Sequence, residues 1–91
     1  MVFLVSYDLN VENNNNDQVR EAIRNFGETN PCLESSWLVS TQLTADQIYD
    51  AIIPTLGPGD RFFVTPVKYA ECAGRTDGRH GVWEWFGNHP Q

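Results

Sequence analysis

Two amphipathic helical segments alternate with hydrophobic strand segments, and this order constrains the fold more than any other feature of the sequence. The first helix is indicated by Val19, Ile23 and Phe26, which recur at a spacing that places them on one helical face. An Asn or Asp at positions 15–17 is expected to cap its start, and Gly27 is expected to end it. The segment therefore predicts a short helix with one buried stripe.

The second helix begins at a capping box, Thr44-Ala45-Asp46-Gln47, in which the Gln47 side chain can reach back to the amide of Thr44. Pro54 ends or kinks this helix, and Gly57-Pro58-Gly59 prevents its continuation. The glycines of that loop do not form a phosphate-binding motif, so nucleotide binding by a glycine-rich loop is excluded. Four consecutive asparagines at 13–16 precede the first helix, and we expect them to form a solvated loop.

Strand segments are expected at Val2–Asp8, 28–34, Ser36–Thr41 and Asp60–Val67. Pro31 cannot donate to a ladder, so the second segment is predicted to be a ragged edge strand. The continuous hydrophobicity of the first and third segments favours central positions. The order of elements predicts an α+β ferredoxin-like split βαβ fold, an antiparallel sheet with two helices on one face.

The length of 91 residues predicts one domain, with a looser tail at about 68–91. Trp83, Trp85 and Phe86 lie in this tail, and at helical spacing Trp83 and Phe86 share a face. Base stacking by these aromatics is an alternative, but it needs cations that the tail has in small number. We therefore expect the aromatic segment to dock on the chain's own sheet or on a partner.

The charge balance is acidic, with six Lys and Arg against twelve Asp and Glu, a formal net charge of −6. Nucleic-acid binders gain much of their affinity by neutralising phosphates, so a generic nucleic-acid binder is disfavoured, and a focused cationic patch or one built across a dimer stays open. No apolar run approaches the roughly 20 residues that span a bilayer, and the start of the chain does not resemble a signal peptide. Cys32 and Cys72 form no CxxC motif, which favours reduced thiols in a cytoplasmic protein. Cys72 together with His80 and His89 fits no known metal-site spacing.

A first strand that closes on Tyr7-Asp8, a helix that ends at Gly27 and a later segment, Glu34-Ser35-Ser36-Trp37-Leu38-Val39, form a recognisable combination. In this order the chain resembles the small CRISPR-associated Cas-two family, the spacer-acquisition subunit, and resembles its SinR-like relatives most closely. The resemblance covers roughly residues 2–67.

The resemblance implies a homodimer in which Asp8 of both protomers meets across the two-fold axis and holds a divalent cation. Mg²⁺ is the cofactor expected there, because it prefers oxygen ligands and keeps several waters, so that one or two carboxylates suffice. Asp8 is then the candidate catalytic and metal-binding residue. Tyr7, Ser35 and Ser36 are candidate substrate-binding residues, since hydroxyl groups can bind phosphate oxygens. The competing interpretations are a strand-end aspartate that caps a loop, a packing tyrosine and serines that satisfy backbone groups.

Three functions follow from these observations. The first in rank is a non-catalytic dimeric scaffold or partner-binding module, linked to mobile elements or defence, that binds protein or nucleic acid. The second is a Mg²⁺-dependent endonuclease that cleaves through paired Asp8 residues, although a chain of −6 repels its substrate at long range. The third is a small-molecule regulatory sensor, for which only analogy between folds argues.

Overall fold

Four antiparallel strands form a single sheet in the computed structural model, which describes residues 1–91. The strands and helices are β1 (Val2–Asp8), α1 (Asn16–Arg24), β2 (Glu28–Leu33), β3 (Ser36–Ser40), α2 (Ala45–Ile52), β4 (Arg61–Pro66) and α3 (Val82–Gly87). The strand order is β2-β3-β1-β4, so the first and third strands are the central pair. This architecture confirms the predicted α+β ferredoxin-like fold. No helix has the length and apolar character needed to cross a membrane.

Helices α1 and α2 cover one face of the sheet and enclose the larger part of the core. Side chains alternate between faces along a strand, so every second residue of β1 points towards these helices. The buried residues of this core are Phe3, Val5, Tyr7, Val19, Ile23, Trp37, Val39, Ile48 and Ile52. The apolar stripes read from the sequence therefore face the sheet as predicted.

The ends of the two helices differ in how well the sequence predicted them. The capping box of α2 is present, because the Gln47 amide donates to the Thr44 hydroxyl at 3.1 Å and the Thr44 amide donates to the Gln47 side chain at 2.9 Å. Helix α1 follows Asn15, within the predicted range, but the Asn15 side chain does not cap the helix. Its amide group is used in a longer-range contact described below.

Strand β2 forms one edge of the sheet and pairs only with β3. Its register shifts between Pro31 and Leu33, where the pairing with β3 is interrupted by a bulge. A proline and a bulge both remove hydrogen-bonding capacity from an edge, which protects it from pairing with another strand. The expectation of a ragged edge strand is confirmed.

Helix α3 packs on the face of the sheet that α1 and α2 leave open. Val82 and Phe86 are buried there against Val2 and Leu38, which belong to the two central strands. The aromatic segment thus docks on the chain's own sheet, which is one of the two arrangements expected from the sequence. The predicted two helices on one face are α1 and α2, and the third helix gives the sheet a second, smaller core.

Polar contacts tie the tail around α3 to strand β2. The Asn30 side-chain amide donates to the carbonyl of His80 at 2.8 Å, which fixes the chain just before α3. After α3, His89 bonds through Nδ1 to the Trp85 carbonyl at 2.6 Å and through Nε2 to the Glu28 carboxylate. The Trp85 carbonyl is the main reason why the pKa of His89 is raised, with Glu28 adding to it. The Asn30 bond holds His80 beside the edge of the sheet, and the His89 bonds hold the end of the chain against β2.

Candidate functional site

Asp8 lies at the end of β1, exposed to solvent and opposite Arg61 of β4 in the strand register. It forms no ion pair with Arg61 or any other cation. A shallow cavity of about 290 Å³ opens beside it and is lined by Tyr7, Asp8, Ser35 and the segment at 9–16, which we call the asparagine loop. No three His, Cys, Asp or Glu side chains lie close enough together to hold a metal ion. Asp8 is thus the only carboxylate that lines this cavity.

The three candidate substrate-binding residues have different surroundings. Tyr7 is buried, and its hydroxyl accepts a hydrogen bond from the Trp37 indole at 3.2 Å. Ser36 is also buried, with its hydroxyl 3.0 Å from that of Ser6. Ser35 is half-buried beside the Asp8 cavity, and its carbonyl accepts from the Tyr7 amide at 3.0 Å. The structure thus brings Asp8 and Ser35 together, while the hydroxyls of Tyr7 and Ser36 are already engaged inside the protein.

The asparagines at 13–16 are solvated only in part: Asn14 and Asn16 are exposed as expected, whereas Asn13 and Asn15 fold onto the protein. Asn15 is only 6 % exposed, and its side-chain amide donates to the Thr55 carbonyl at 2.7 Å and to Asp60 at 2.8 Å. The Asn13 side chain donates to Asp60 at 2.9 Å. The loop therefore folds around the Asp60 carboxylate, whose oxygens accept hydrogen bonds from these neutral side-chain amides. The same loop lines the cavity beside Asp8.

Asp60 is the centre of this network of hydrogen bonds. Besides the bonds from the two asparagine side chains, the Asp60 carboxylate accepts hydrogen bonds from the backbone amide of Gly57 at 2.8 Å and from the backbone amide of Asn10 at 2.7 Å. Hydrogen bonds to the charged form favour ionisation. The bond from Gly57 is the main reason why the pKa of Asp60 falls to about 2, with the Asn15, Asn10 and Asn13 bonds adding to it.

We expect Asp60→Asn to lower the melting temperature at neutral pH by several degrees, because an amide cannot accept all four bonds. The pKa of Asp60 is about 2 in the folded protein, against about 3.9 for an unperturbed aspartate. Its contribution to stability is thus complete above about pH 4 and is lost as the pH falls towards 2. Thermal unfolding of both proteins between neutral pH and about pH 2.5 measures this, and the difference between them should shrink over that interval.

Asp50→Asn is the matched control, because Asp50 is exposed on α2 and has no hydrogen-bonding or ionic partner. Its melting temperature should follow that of the wild type at every pH. A constant difference between Asp60→Asn and the wild type down to about pH 2.5 would contradict the lowered pKa.

A second candidate site is a groove along the outer edge of β2, which we call the arginine groove. One wall is α1 with Arg20 and Arg24, and the other is the tail with Arg75 and Arg79. The groove has a volume of about 840 Å³, with Pro31, Cys32 and Leu33 at its base. It gathers four of the six Lys and Arg residues of a chain whose net charge is −6.

The two arginines of α1 are held in place by Trp37. Their guanidinium carbons lie 5.7 Å and 5.6 Å from the centroid of the Trp37 ring, within the range of cation–π contacts. Trp37 is only 4 % exposed, because it belongs to the core beneath the helices and carries the two arginines on its ring. Arg20 and Arg24 are four positions apart on the helix, a spacing at which like charges destabilise it. Glu21 beside Arg24 and the place of Arg24 in the last turn offset that repulsion.

Few carboxylates neutralise the arginine groove. Arg24 approaches the exposed Glu21 at 3.8 Å, and Arg79 bonds to Asp77 at 2.6 Å. Arg20 and Arg75 form no ion pair. With Glu21 counted beside the two lining carboxylates, Glu34 and Asp77, the four arginines face three carboxylates, which leaves one net positive charge.

The thiols provide no nucleophile for this groove. Cys32 and Cys72 are both free and half-buried, and both line a small apolar cavity of about 170 Å³ beneath α3. Burial is the main cause that raises the pKa of the Cys32 thiol, so it stays protonated at neutral pH. His80 lies at the edge of the arginine groove, whereas His89 is bound to Glu28 elsewhere. The arginines thus give the groove the chemistry for binding anions.

Sequence reasoning did not find the arginine groove. Arg20 and Arg24 lie outside the apolar stripe of the first helix, and Arg75 and Arg79 lie in the segment predicted as a looser tail. The signal was that four of the six cations fall in two short windows, 20–24 and 75–79. Only the path of the tail past β2 joins those windows, and nothing local in the sequence specifies that path.

Comparison with known proteins adds no assignment to these two sites. The resemblance to the Cas-two family therefore stays a prediction that rests on the residues quoted for it. No protein-family model, curated protein or solved structure matches this chain.

Proposed function

We propose that this chain is a non-catalytic binding module that holds an anionic partner in the arginine groove and acts as a homodimer. The observation that carries the proposal is the convergence of four arginines on one groove of an otherwise acidic chain. Arg20 and Arg75 have no carboxylate partner there, and charge-assisted hydrogen bonds to an anion would satisfy them.

The resemblance to the Cas-two family and its SinR-like relatives supports a scaffold or partner-binding role connected with mobile elements or defence. The groove supplies the focused cationic patch that such a role needs in a chain of net charge −6. Both cysteines are free, which favours a reducing compartment, so we place the module in the cytoplasm.

The part of the sheet that α3 does not cover supports the homodimer. Leu33, Ser36, Ser6 and Phe63 face one another in register across all four strands, so they share this face. Phe63 is 67 % exposed and Leu33 is 58 % exposed. Asp8 and Arg61 form the next row on the same face. A surface with two apolar side chains, one acid and one cation is complementary to itself about a two-fold axis.

We expect the protein to sediment as a dimer of the 10.3 kDa chain at micromolar concentration. Phe63→Glu should dissociate it, because central aromatic side chains dominate the energy of such interfaces and their loss weakens binding by about 30-fold or more. Val11→Glu is the control, since Val11 is an apolar residue in the loop before α1 that is still more exposed, 88 % against 67 % for Phe63. A wild type that stays monomeric at high micromolar concentration would contradict the dimer.

An Mg²⁺-dependent endonuclease that cleaves through paired Asp8 residues is the alternative function. The observation that favours it is that Asp8 is exposed, unpaired and on the proposed dimer face. A two-fold axis near this row would bring two carboxylates together, and a cation between them would remove their repulsion.

Asp8→Asn separates the two functions, because it keeps the shape of the side chain and removes its charge. For a binding module we expect no cleavage of DNA or RNA by the wild type with Mg²⁺, and unchanged anion binding by Asp8→Asn. Metal-dependent cleavage by the wild type that disappears in Asp8→Asn would establish the endonuclease instead.

A further inference from the structure

We infer that the ligand of the arginine groove is a compact polyphosphate, the di- or triphosphate group of a nucleotide. This inference rests on the proposed function and names the chemical class of its anion. Such a site differs from the common nucleotide-binding sites in which a glycine-rich loop holds the phosphates, because arginine side chains would hold them here.

The placement of the arginines suits a small and highly charged group. Arg20 and Arg24 approach from α1, and Arg75 and Arg79 from the tail, so an anion between the walls is reached from both sides. Each guanidinium offers planar paired donors that match phosphate oxygens. The contact of Arg20 and Arg24 with the Trp37 ring orients one wall in advance, which reduces the entropy lost on binding.

The size and charge of the groove favour a nucleotide over a long strand. Its volume of about 840 Å³ lies within the roughly 300–1,000 Å³ that small-molecule sites occupy. A long strand would extend beyond the four arginines onto a surface that carries most of the twelve acidic residues. That surface repels a polyanion, so the favourable field is confined to a ligand that fits within the groove.

Two further features limit how the ligand is recognised. Trp37 is covered by arginines and 4 % exposed, so its ring is not available to stack on a base. Pro31 and the adjacent bulge deprive the β2 edge of regular hydrogen-bonding groups, which disfavours an extended acidic peptide that binds as an added strand. Recognition is thus centred on phosphate, with little discrimination between bases.

Calorimetric titration at low salt with ATP, GTP, ADP and AMP tests this inference. We expect affinity to rise from mono- to di- to triphosphate and to be similar for ATP and GTP. Arg20→Gln and Arg75→Gln should each weaken ATP binding by about 10-fold or more, as expected for a lost charge-assisted hydrogen bond. Lys68→Gln is the matched control, because it removes one positive charge at an exposed position outside the groove.

Thermal unfolding of each variant shows whether it is folded. Titration with a fluorescent single-stranded oligonucleotide of about 20 nucleotides tests the alternative ligand, a long nucleic-acid strand. Oligonucleotide binding that Arg20→Gln weakens, without binding of any nucleotide, would overturn this inference and leave the proposed function in place. If the folded wild type binds none of the nucleotides, the oligonucleotide and the polyanion heparin, both this inference and the proposed function are overturned. Equal ATP affinity of Arg75→Gln and Lys68→Gln would also overturn the inference.

Discussion

Replacing Phe86 with alanine is expected to lower the free energy of unfolding by about 3–5 kcal/mol, the usual cost of removing a buried aromatic ring. Phe86 is 2 % exposed and belongs to the small core that joins α3 to the sheet through Val2 and Leu38. Its ring also meets that of Tyr69 edge to face, with centroids 5.6 Å apart. A loss of this size is a large part of the stability of a small domain.

Urea unfolding at neutral pH measures this loss, with Tyr49→Ala as the control. Tyr49 is an aromatic residue of α2 that is 45 % exposed, so we expect its replacement to cost about 1 kcal/mol. In Phe86→Ala the arginine groove should also lose its tail wall, and nucleotide affinity should fall with stability. Similar losses for the two variants would show that α3 is not an integral part of the fold.

Replacing Gly27 with alanine is expected to cost about 2–4 kcal/mol, from backbone strain and from a steric clash together. Gly27 has a φ of 151°, and a Cβ atom there would lie 2.4 Å from the carbonyl oxygen of Ser40. Gly27 directly precedes β2 and Ser40 ends β3, and the two strands are paired there through Glu28 and Ser40. Relief of the clash would therefore require β2 to move away from β3.

Gly78→Ala separates the two contributions. Gly78 has a φ of 78°, but a Cβ atom added there would meet no other atom within 4 Å, so the substitution carries only the cost of the backbone conformation. Urea unfolding should give a loss of about 1 kcal/mol for this control. Equal losses at the two positions would mean that the approach of Gly27 to Ser40 does not matter.

The fold could be predicted because its signals are local. The stripe through Val19 and Ile23, the capping box at Thr44 and the punctuation by Pro54 each act within one element, and each was placed correctly. The ragged edge at Pro31 was likewise readable, since proline removes a donor wherever it lies.

The parts of the sites that could not be predicted depend on contacts between distant positions. Asn15 looked like a solvent-facing loop residue because its partner, Asp60, is 45 positions away. The arginine groove depends on where the tail runs after β4, and the hydrophobic pattern does not encode that path. Whether Asp8 acquires a partner depends on a second chain, so no pattern within one chain specifies it.

The hydrogen bond between Asn30 and His80 has a consequence for the order of folding. It joins positions 50 residues apart, and the loop between them must close before the contact is rewarded. The pairing of β1 with β4 closes loops at least as long, but the tail adds only this bond and a core of four buried residues, against nine beneath α1 and α2. We therefore expect the tail wall of the groove to order after the sheet and to be absent from the folding transition state. A ligand that bridges the two walls would then slow unfolding and leave the folding rate almost unchanged. Its effect would be a longer lifetime of the native protein.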